Sequence, residues 1–495
     1  MTMASTELVD FLQLIDGELC PASSGRWIES INPATGVAWA RIPQSDAADV
    51  AAAVQAAANS FPAWWALPSL QRAAHLRAVA DVIRVNGREL AEIETRDNGR
   101  VLNETLMGDI PACEQMFHFF AGAADKVHGD TVQVGPHSFN FTRREPHGVV
   151  AVIIPWNAPL SLMSSKVGAA LAAGNTVVIK AAEQAACSVL RWASLLESAG
   201  LPRGVVNVVA GLGEVAGDAL VCDSSIGRLT FTGSTETARI IQDRGSSLIR
   251  PLHFELGGKS ANIVFADADL DAAAVGVSTA AIFTGGAGQT CVAGSRILIH
   301  ESIFDEMIGR ITETASSVVL GDPTDLATTM GPIVSAEQLD RVRGFIENAP
   351  ADGAELLLGG RSRAVEIFPS DSPMASGYWV EPTLFRVPGN DLSICQQEIF
   401  GPVAVIMTFA DDEEAVALAN DTKYGLAAGV WTSDLKRGHR MIRDLQVGSV
   451  WVNAYRRIHW ALPFGGFGNS GFGKDSGLES VLENTRIKTG WVDLS

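Results

Sequence analysis

The feature that most constrains the fold is a series of short apolar runs that recur after about residue 148. They occupy residues 149–154, 176–180, 205–209, 228–232 and 261–265, and stretches that can form helices separate them. Strands that alternate with helices at this spacing predict a parallel sheet covered by helices on both faces. Ligands of such sheets bind at the carboxyl ends of the strands. The residues that follow each run are therefore the first candidates for a functional site.

A second α/β region follows, from about residue 266 to residue 455. Its clearest strand candidates are residues 296–300 and 403–407, with helical patterns between them. Two segments of alternating polar and apolar residues lie outside both regions, at residues 131–142 and 486–492. Strands this far from the main sheets suit an arm between subunits.

Two helical patterns precede the first sheet. The first, residues 45–59, opens on Ser45, a residue type that is favoured at helix N-caps, and its apolar residues recur at helical spacing. The second runs from about residue 70 to residue 96 and ends near Asn98-Gly99, which is a helix-stop signal.

The composition is that of a folded globular chain with two or three domains. Its 495 residues are 47% hydrophobic and 19% charged. Lys and Arg number 37 and Asp and Glu 56, and the net charge of −19 argues against nucleic acid or an anionic membrane as partner. The uncharged stretches within 145–166 and 271–296 contain prolines or many Gly, Ser and Thr residues, so we expect neither to span a membrane.

The cysteines also bear on the compartment. All six are scattered, with no CxxC pair, which predicts a reducing compartment rather than a disulfide framework. The N-terminus shows no basic segment followed by an apolar one, so we expect no targeting peptide and a cytoplasmic location. No HExxH motif or Cys/His cluster is present, and we expect no metal.

Three residues have the chemistry of a nucleophile, a base and an oxyanion donor. Cys291 lies among small residues, and its thiolate can attack a carbonyl carbon, although lone cysteines are commonly buried structural thiols. Glu255 has apolar and glycine neighbours that raise its proton affinity and suit a general base; the alternative is an ion pair with Lys259. Asn157 can donate to a developing oxyanion or act as a helix N-cap, and both roles can hold together.

A second set of residues follows other strand candidates. Lys180 ends its run and Glu183 comes three residues later, where acidic and basic groups can bind ribose hydroxyls. Gly233 and Ser234 follow the fourth run and can open a helix whose N-terminus faces a phosphate. Gly213 belongs to a weak glycine signal that is one position out of register for GxGxxG. Taken singly, each of these residues is more often structural than functional.

Taken together, the motifs resemble the aldehyde dehydrogenase superfamily, of the NAD(P)-dependent, non-acylating type. The resemblance runs from Asn32 to Phe467 and so covers nearly the whole chain. Its anchors, in the family's order and at its distances, are PWN at 155–157, KAAEQ at 180–184, FTGST at 231–235, ELGGKS at 255–260, GQTC at 288–291 and EIFGPV at 398–403.

The resemblance implies catalytic roles for four residues. Cys291 would be the nucleophile, Glu255 the general base, and Asn157 would form the oxyanion hole with the Cys291 backbone N–H. Lys166 resembles the family's lysine that lines a proton path near the catalytic glutamate. The implied cofactor-binding residues are Lys180 and Glu183 at the adenine-side ribose, Ser234 at the pyrophosphate, Glu398 at the nicotinamide ribose and Phe400 beside the nicotinamide ring. Trp156, Gly213 and Gly233 are further cofactor-binding candidates.

The resemblance also implies an organisation into domains. It predicts a Rossmann-like, parallel-sheet dinucleotide-binding domain of residues 1–126 and 147–256 and a second α/β catalytic domain of residues 257–457. Residues 127–146 and 473–495 would form a small β oligomerisation arm. The expected assembly is a homodimer or a homotetramer.

The reaction implied by the resemblance is the NAD-dependent oxidation of an aldehyde to its carboxylic acid, through a thiohemiacetal and a thioester on Cys291. A carboxylate at Glu183 repels a 2′-phosphate, so NAD is favoured over NADP. Alternatives are a semialdehyde dehydrogenase with NADP use, a thioester or ester hydrolase, a CoA-acylating enzyme and a non-catalytic scaffold. The complete cofactor set makes hydrolysis a side activity at most, Glu255 favours water over CoA, and a scaffold would have lost Cys291 or Glu255.

Several residues bear on the substrate. Ala158 and Ser165 stand where many relatives carry bulky aromatics, which predicts a wide and polar pocket. Arg456 and Arg457 can bind a carboxylate in a bidentate manner, or can form salt bridges at a subunit or domain contact. Trp460 can pack against an aromatic or heterocyclic ring. The predicted substrate is a bulky aromatic, heterocyclic or carboxylate-bearing aldehyde, and the predicted substrate-binding residues are Ala158, Arg456, Arg457, Trp460 and Phe464.

Overall fold

The computed structural model describes residues 8–495, in which two large β-sheets carry helices on their faces. The strands of this part of the chain are β1 Val9–Asp10, β2 Gln13–Ile15, β3 Glu18–Cys20, β4 Trp27–Asn32, β5 Val37–Pro43, β6 Thr131–Val132, β7 Ser138–Pro146, β8 Val149–Ile153, β9 Thr176–Lys180, β10 Val206–Val209, β11 Ile226–Thr232, β12 Leu252–Glu255, β13 Ala261–Val264, β14 Arg296–His300, β15 Glu355–Leu358, β16 Thr383–Arg386, β17 Val403–Phe409, β18 Tyr424–Gly425, β19 Ala427–Trp431, β20 Ser449–Val452, β21 Phe467–Gly468, β22 Gly471–Phe472 and β23 Thr485–Asp493.

The helices connect these strands and cover the sheets. The α-helices are α1 Ala47–Ala66, α2 Ser69–Val85, α3 Gly87–Asn98, α4 Leu102–Glu104, α5 Ile110–Ala123, α6 Pro159–Ala172, α7 Cys187–Ser194, α8 Asp218–Cys222, α9 Thr235–Arg244, α10 Leu270–Val277, α11 Phe304–Ser316, α12 Ala336–Asn348, α13 Ala364–Ile367, α14 Ser393–Gln396, α15 Asp412–Asn420, α16 Leu435–Asp444 and α17 Gly477–Glu483. Short π-helical turns span Thr105–Asp109 and Gly213–Gly217, and 3₁₀ turns span Glu301–Ile303 and Pro373–Ser376.

The first sheet has eight strands in the order β22-β12-β11-β8-β9-β10-β2-β3, and its five central strands, β12 to β10, are parallel. Every residue of β8, β9 and β10 is buried, because helices cover both faces. The chain runs outward from β8 to β9 and β10, then returns to the other side of β8 with β11. A sheet whose order reverses in this way opens a crevice at its carboxyl edge, where ligands bind.

One strand assignment from the sequence was wrong. The run at residues 261–265 forms β13, which belongs to the second sheet and not to the first. The first sheet takes its outermost parallel strand from β12 instead, whose register pairs it with β11. The apolar pattern missed β12 because two of its four residues, His253 and Glu255, are polar.

The second sheet has seven strands in the order β15-β16-β17-β14-β13-β19-β20. All its pairings are parallel except that of the edge strand β15. The predicted strands at residues 296–300 and 403–407 are confirmed as β14 and β17. Both sheets together confirm the α/β class with two parallel-sheet regions, while the residue bounds of the domains stay a prediction.

Two helix boundaries differ from the sequence pattern. The N-cap of α1 is Asp46 rather than Ser45, because Asp46 and Asp49 form a reciprocal capping box, while the Ser45 hydroxyl donates to Gln13 Oε1. The predicted helix at residues 70–96 is two helices, α2 and α3, which meet at Asn86. Its predicted stop is confirmed: Gly99 adopts a left-handed conformation, with φ 80°, directly after α3.

The segment at residues 486–492 is confirmed as part of a strand, β23, whereas residues 131–142 are divided between β6 and the beginning of β7, with a turn between them. Strand β7 pairs antiparallel with both β6 and β23 in a separate three-stranded sheet, which we call the arm sheet. Ile487 and Trp491 on β23 are 61% and 64% exposed. The arm's part in assembly stays a prediction. Among the helices of residues 8–495, none combines the length and apolarity that crossing a membrane requires.

Candidate active site

Four of the predicted residues lie where parallel strands of the first sheet end. Asn157 follows β8, Lys180 ends β9, Ser234 follows β11 and Glu255 ends β12. Since these strands are parallel neighbours, their carboxyl ends form one edge of the sheet. The fold therefore gathers, along a single crevice, side chains that are up to 98 residues apart in sequence, from Asn157 to Glu255.

Cys291 lies in a loop that crosses this crevice just before β14. The loop turns sharply at Gly288, whose φ is +68° and whose missing Cβ leaves room for the Gly401 carbonyl oxygen. Gln289 fixes the turn: its Nε2 donates to the Gly286 and Pro332 carbonyls, and its Oε1 accepts from the Val334 N–H. Cys291 is thus presented, partly buried, by a loop that hydrogen bonds hold in place.

Asn157 contacts this loop directly. Its Nδ2 donates to the Gln289 carbonyl oxygen at 3.0 Å, two residues before Cys291. The N-cap alternative is wrong, because the N-cap of α6 is Ala158 and Pro159 takes the first helical position. An amide nitrogen carries two hydrogens, so the second remains available for an oxyanion beside Cys291. Asn98 Nδ2 donates to the Trp156 carbonyl at 3.2 Å and supports this segment from α3.

The electrostatics of the crevice favour the neutral thiol at rest. Burial, together with the charges of Glu255 and Glu398, raises the pKa of Cys291 to about 12, while Arg456 acts in the opposite direction. All three charged groups therefore act on the sulfur electrostatically. A thiol of this kind needs a nearby base to become a nucleophile.

Glu255 is the buried carboxylate at the end of β12, and its side chain is 5% exposed. Burial raises its pKa well above the usual value, and the neighbouring Asp475 carboxylate adds to the shift. Oxygen Oε2 has no hydrogen-bond partner within residues 8–495. The ion-pair alternative is wrong, because Lys259 Nζ likewise lacks any partner in the described chain, and burial lowers the pKa of Lys259 to about 7.

Lys166 lies on α6 behind Glu255. Its Nζ donates to both carboxylate oxygens of Asp475, at 2.9 and 3.1 Å, and its side chain is fully buried. The positive charge of Lys166 opposes the rise in the pKa of Glu255, so the lysine lies within electrostatic reach of that carboxylate. The structure therefore brings Lys166 and Glu255 together through Asp475, which the sequence analysis did not single out.

The cofactor residues predicted from the sequence form two groups. At the adenine side, Lys180 Nζ and Glu183 Oε2 lie 2.7 Å apart, and Ser234 caps α9 by accepting from the Thr237 N–H. Gly213 begins the turn after β10, with open space beside it. At the catalytic side, Glu398 Oε1 accepts from the Gly258 N–H at 2.9 Å.

The aromatic pair of the cofactor set also meets. Trp156 and Phe400 pack edge to face, with ring centroids 5.2 Å apart, and Phe400 has a left-handed φ of +60°. Buried Thr232 Oγ1, at the end of β11 and next to Gly233, has no hydrogen-bond partner in residues 8–495. The lysine–glutamate pair suits ribose hydroxyls, and the start of α9 and the vacant Thr232 hydroxyl follow on the same strand edge. This arrangement fits a dinucleotide.

The predicted substrate residues differ in their burial and in what they pack against. Phe464 packs in a small apolar cluster with Cys291 and Leu426. Arg456 is partly buried with a left-handed φ of +55°, whereas Arg457 is exposed. Trp460 stacks on His459 at 4.3 Å and packs against the first core.

Some functional candidates were missed by the sequence analysis. They are Gln289, Asn98, Asp475 and His253, which lies two residues before Glu255. Gln289 belongs to the GQTC anchor, so its signal was available. The others show no local signal, because each acquires its contact to the site only through the fold.

A parallel sheet with a dinucleotide crevice, a cysteine held over that crevice and a buried glutamate beside it define a cysteine-dependent dehydrogenase. Comparison with known proteins agrees with this class. The family model described as "Aldehyde dehydrogenase family" matches residues 20–490, and the chain belongs to the aldehyde dehydrogenase family.

Relatives and solved structures resemble nearly the full chain. The (Z)-2-((N-methylformamido)methylene)-5-hydroxybutyrolactone dehydrogenase of Acinetobacter baylyi is 41% identical over 471 residues, which is 94% of each chain. PnpE from Pseudomonas sp. WBC-3 is 41% identical, with a TM-score of 0.94 over 98% of each chain. The NAD⁺ complex of an aldehyde dehydrogenase from Bacillus cereus is 39% identical, with a TM-score of 0.94 over 98% of this chain and 97% of that one.

These findings confirm the predicted family, the enzyme class and the cofactor. The protein is an NAD-dependent aldehyde dehydrogenase, and it oxidises aldehydes.

Proposed function

We propose that this enzyme oxidises a carboxylate-bearing or heterocyclic aldehyde to its acid through a thioester on Cys291. Arg456 carries the substrate part of the proposal. Burial alone would raise the pKa of Glu104, but Arg100 and then Arg456 lower it on balance, so Arg456 lies within electrostatic reach of Glu104. Glu104 and Asp109 form their ion pairs with Arg100, and none involving Arg456 is found in the described chain.

The conformation of Arg456 supports the same assignment. A left-handed backbone costs a non-glycine residue about 1–3 kcal/mol and persists where the surroundings impose it, often at functional sites. It places a partly buried, unpaired guanidinium within electrostatic reach of the Cys291 sulfur. A guanidinium binds a carboxylate through two parallel hydrogen bonds, which would orient the aldehyde group of such a substrate toward the sulfur. The name of the Acinetobacter relative includes a butyrolactone, an oxygen heterocycle, which is consistent with a polar ring substrate.

The chemistry starts from the protonated thiol of Cys291. Glu255, whose proton affinity is raised by burial, takes the thiol proton as the sulfur attacks the carbonyl carbon. The resulting thiohemiacetal oxyanion accepts hydrogen bonds from the second N–H of Asn157 Nδ2 and from the Cys291 backbone N–H. Losing one such donor costs about 10²–10³ in rate.

NAD, when bound, accepts the hydride whose loss turns the thiohemiacetal into a thioester. Lys180, Glu183 and Ser234 would hold its adenine side, and Glu398 and Phe400 its nicotinamide side. The Lys166–Asp475 pair provides a path along which Glu255 can lose its first proton. Glu255 then takes a proton from water, which attacks the thioester and releases the acid and the Cys291 thiol.

A paired substitution tests the substrate assignment. In Arg456→Ala we expect kcat/KM for a carboxylated aldehyde to fall about 10–100-fold, while that for a neutral aldehyde of similar size changes less than about threefold. Arg457→Ala is the matched control, because this neighbouring arginine is exposed. A panel of aliphatic, aromatic and carboxylated aldehydes with NAD provides the measurement. Equal losses on charged and neutral substrates would overturn the assignment.

A further inference from the structure

Glu255 shares its side of β12 with a buried histidine that the proposed reaction does not yet use. Residues two apart on a strand point to the same face, so His253 lies directly beside Glu255. The His253 side chain is 4% exposed, and its Nε2 lies 3.5 Å from Glu255 Oε1. That separation is the outer limit of a hydrogen bond, and such bonds shorten in complexes with substrate.

The other ring nitrogen of His253 faces a hydroxyl. Nδ1 lies 3.1 Å from Thr230 Oγ1, on the residue that pairs with His253 in the neighbouring strand β11. It also lies 3.8 Å from Asp475 Oδ1, the carboxylate that Lys166 binds. The imidazole therefore lies between the catalytic carboxylate and the Lys166–Asp475 pair.

The chain makes specific room for this ring. Gly473 has a left-handed φ of +85°, and a Cβ at this position would come within 2.5 Å of His253 Cδ2. The loop from β22 to α17 thus packs its backbone against the imidazole. Asp475, in the same loop, is fixed by two backbone hydrogen bonds with Phe464, of 2.7 and 2.8 Å.

We propose that His253 is a positioning residue for Glu255. Thr230 Oγ–H donates to His253 Nδ1, which leaves the ring proton on Nε2, and Nε2–H donates to Glu255 Oε1. This bond holds one carboxylate oxygen and leaves Oε2 toward the reacting water. The inference rests on the proposed function, in which Glu255 is the base.

The charges around the pair determine the direction of its effect. Burial lowers the pKa of His253 well below its usual value, and three nearby cations lower it further, so the ring is neutral at physiological pH. A neutral donor stabilises the ionised form of Glu255 and opposes the rise in its pKa. Apart from the Cys291 thiol, the charged groups that face the two residues are Lys166, Arg228, Lys474, Asp475 and Glu483.

The test is the pH profile of kcat and of ester hydrolysis without NAD, using a p-nitrophenyl ester. In both profiles the acidic limb is the part in which the rate rises with pH. In His253→Leu we expect this limb to move up by about one pH unit and the rate at pH 7 to fall about tenfold. The KM for aldehyde should change little. His253→Gln should recover part of the shift, since its amide can donate to Glu255. Thr230→Val should move the limb in the same direction, because the hydroxyl that sets the ring tautomer is lost.

A parallel Glu255→Gln variant separates two kinds of failure. If Glu255→Gln abolishes the acidic limb while the His253 and Thr230 variants keep the limb of the parent, the positioning role is wrong and the proposed function stands. If Glu255→Gln keeps the parental profile, the assignment of Glu255 as base fails. Circular dichroism shows whether His253→Leu folds. If it does not fold, the test rests on His253→Gln and Thr230→Val, and the inference is overturned if the acidic limb of both variants lies at the same pH as that of the parent enzyme.

Discussion

Replacing Lys166 by Met should destabilise the protein strongly. Lys166 is fully buried and Asp475 is 8% exposed, and two charge-assisted hydrogen bonds join them. Removing one partner of a buried ion pair leaves an uncompensated charge and costs about 3–5 kcal/mol. For a domain of 150–250 residues each kcal/mol shifts the unfolding midpoint by about 2–4 °C, so we expect a fall of about 6–20 °C.

Calorimetry of the parent and of four variants provides the measurement. Asp475→Asn alone should also be costly, because it leaves the Lys166 ammonium buried without its counter-ion. The double variant Lys166→Met/Asp475→Asn should lose less than the sum of the single variants, since neither charge remains. The control is Arg191→Met: its pair with Glu89 also has two short hydrogen bonds but is 32% and 47% exposed, so we expect less than about 1 kcal/mol. Additive losses in the double variant would refute the coupling.

Two further predictions concern pH and cofactor choice. Burial raises the pKa of Glu255 above 4.5, so its carboxylate becomes charged only as the pH rises through that higher value. We therefore expect kcat to increase with pH on the acidic side of the profile. If Glu255→Gln showed the same pH dependence as the parent enzyme, this prediction would be wrong. Glu183→Ser removes the carboxylate that repels a 2′-phosphate and leaves Lys180 unpaired. We therefore expect the ratio of kcat/KM for NADP to kcat/KM for NAD to rise at least about tenfold. An unchanged ratio would show that other residues determine the cofactor selectivity.

The buried charges behind Glu255 show how the fold serves the reaction. Lys166 comes from α6, His253 from β12 and Asp475 from the segment before α17. An isolated carboxylate at this depth would remain protonated, because burial disfavours its charged form. Placing a lysine and a polar ring behind Glu255 opposes that effect without opening the site to water.

The sequence by itself determined the class of fold and pointed to the reacting groups that we propose. Parallel strands that are buried on both faces are mostly apolar, so β8, β9 and β10 were visible as runs. Cys291, Glu255 and Asn157 stand in short motifs that can be recognised from the residues next to them. The arm strands β7 and β23 were recognisable from their period of two, although their pairing with each other was not.

Only the tertiary structure decided which strand completes each sheet and what surrounds the catalytic glutamate. β12 escaped detection because His253 and Glu255 give it a polar face, and that polarity is tolerable only where β11, α6 and the segment before α17 supply partners. The unpaired state of Arg456 likewise depends on Arg100 having taken Glu104 and Asp109, which no local pattern encodes. Apolar periodicity is a property of a segment, whereas the partner of a buried charge is chosen by residues distant in sequence, and that is why the pairing could be read only from the folded chain.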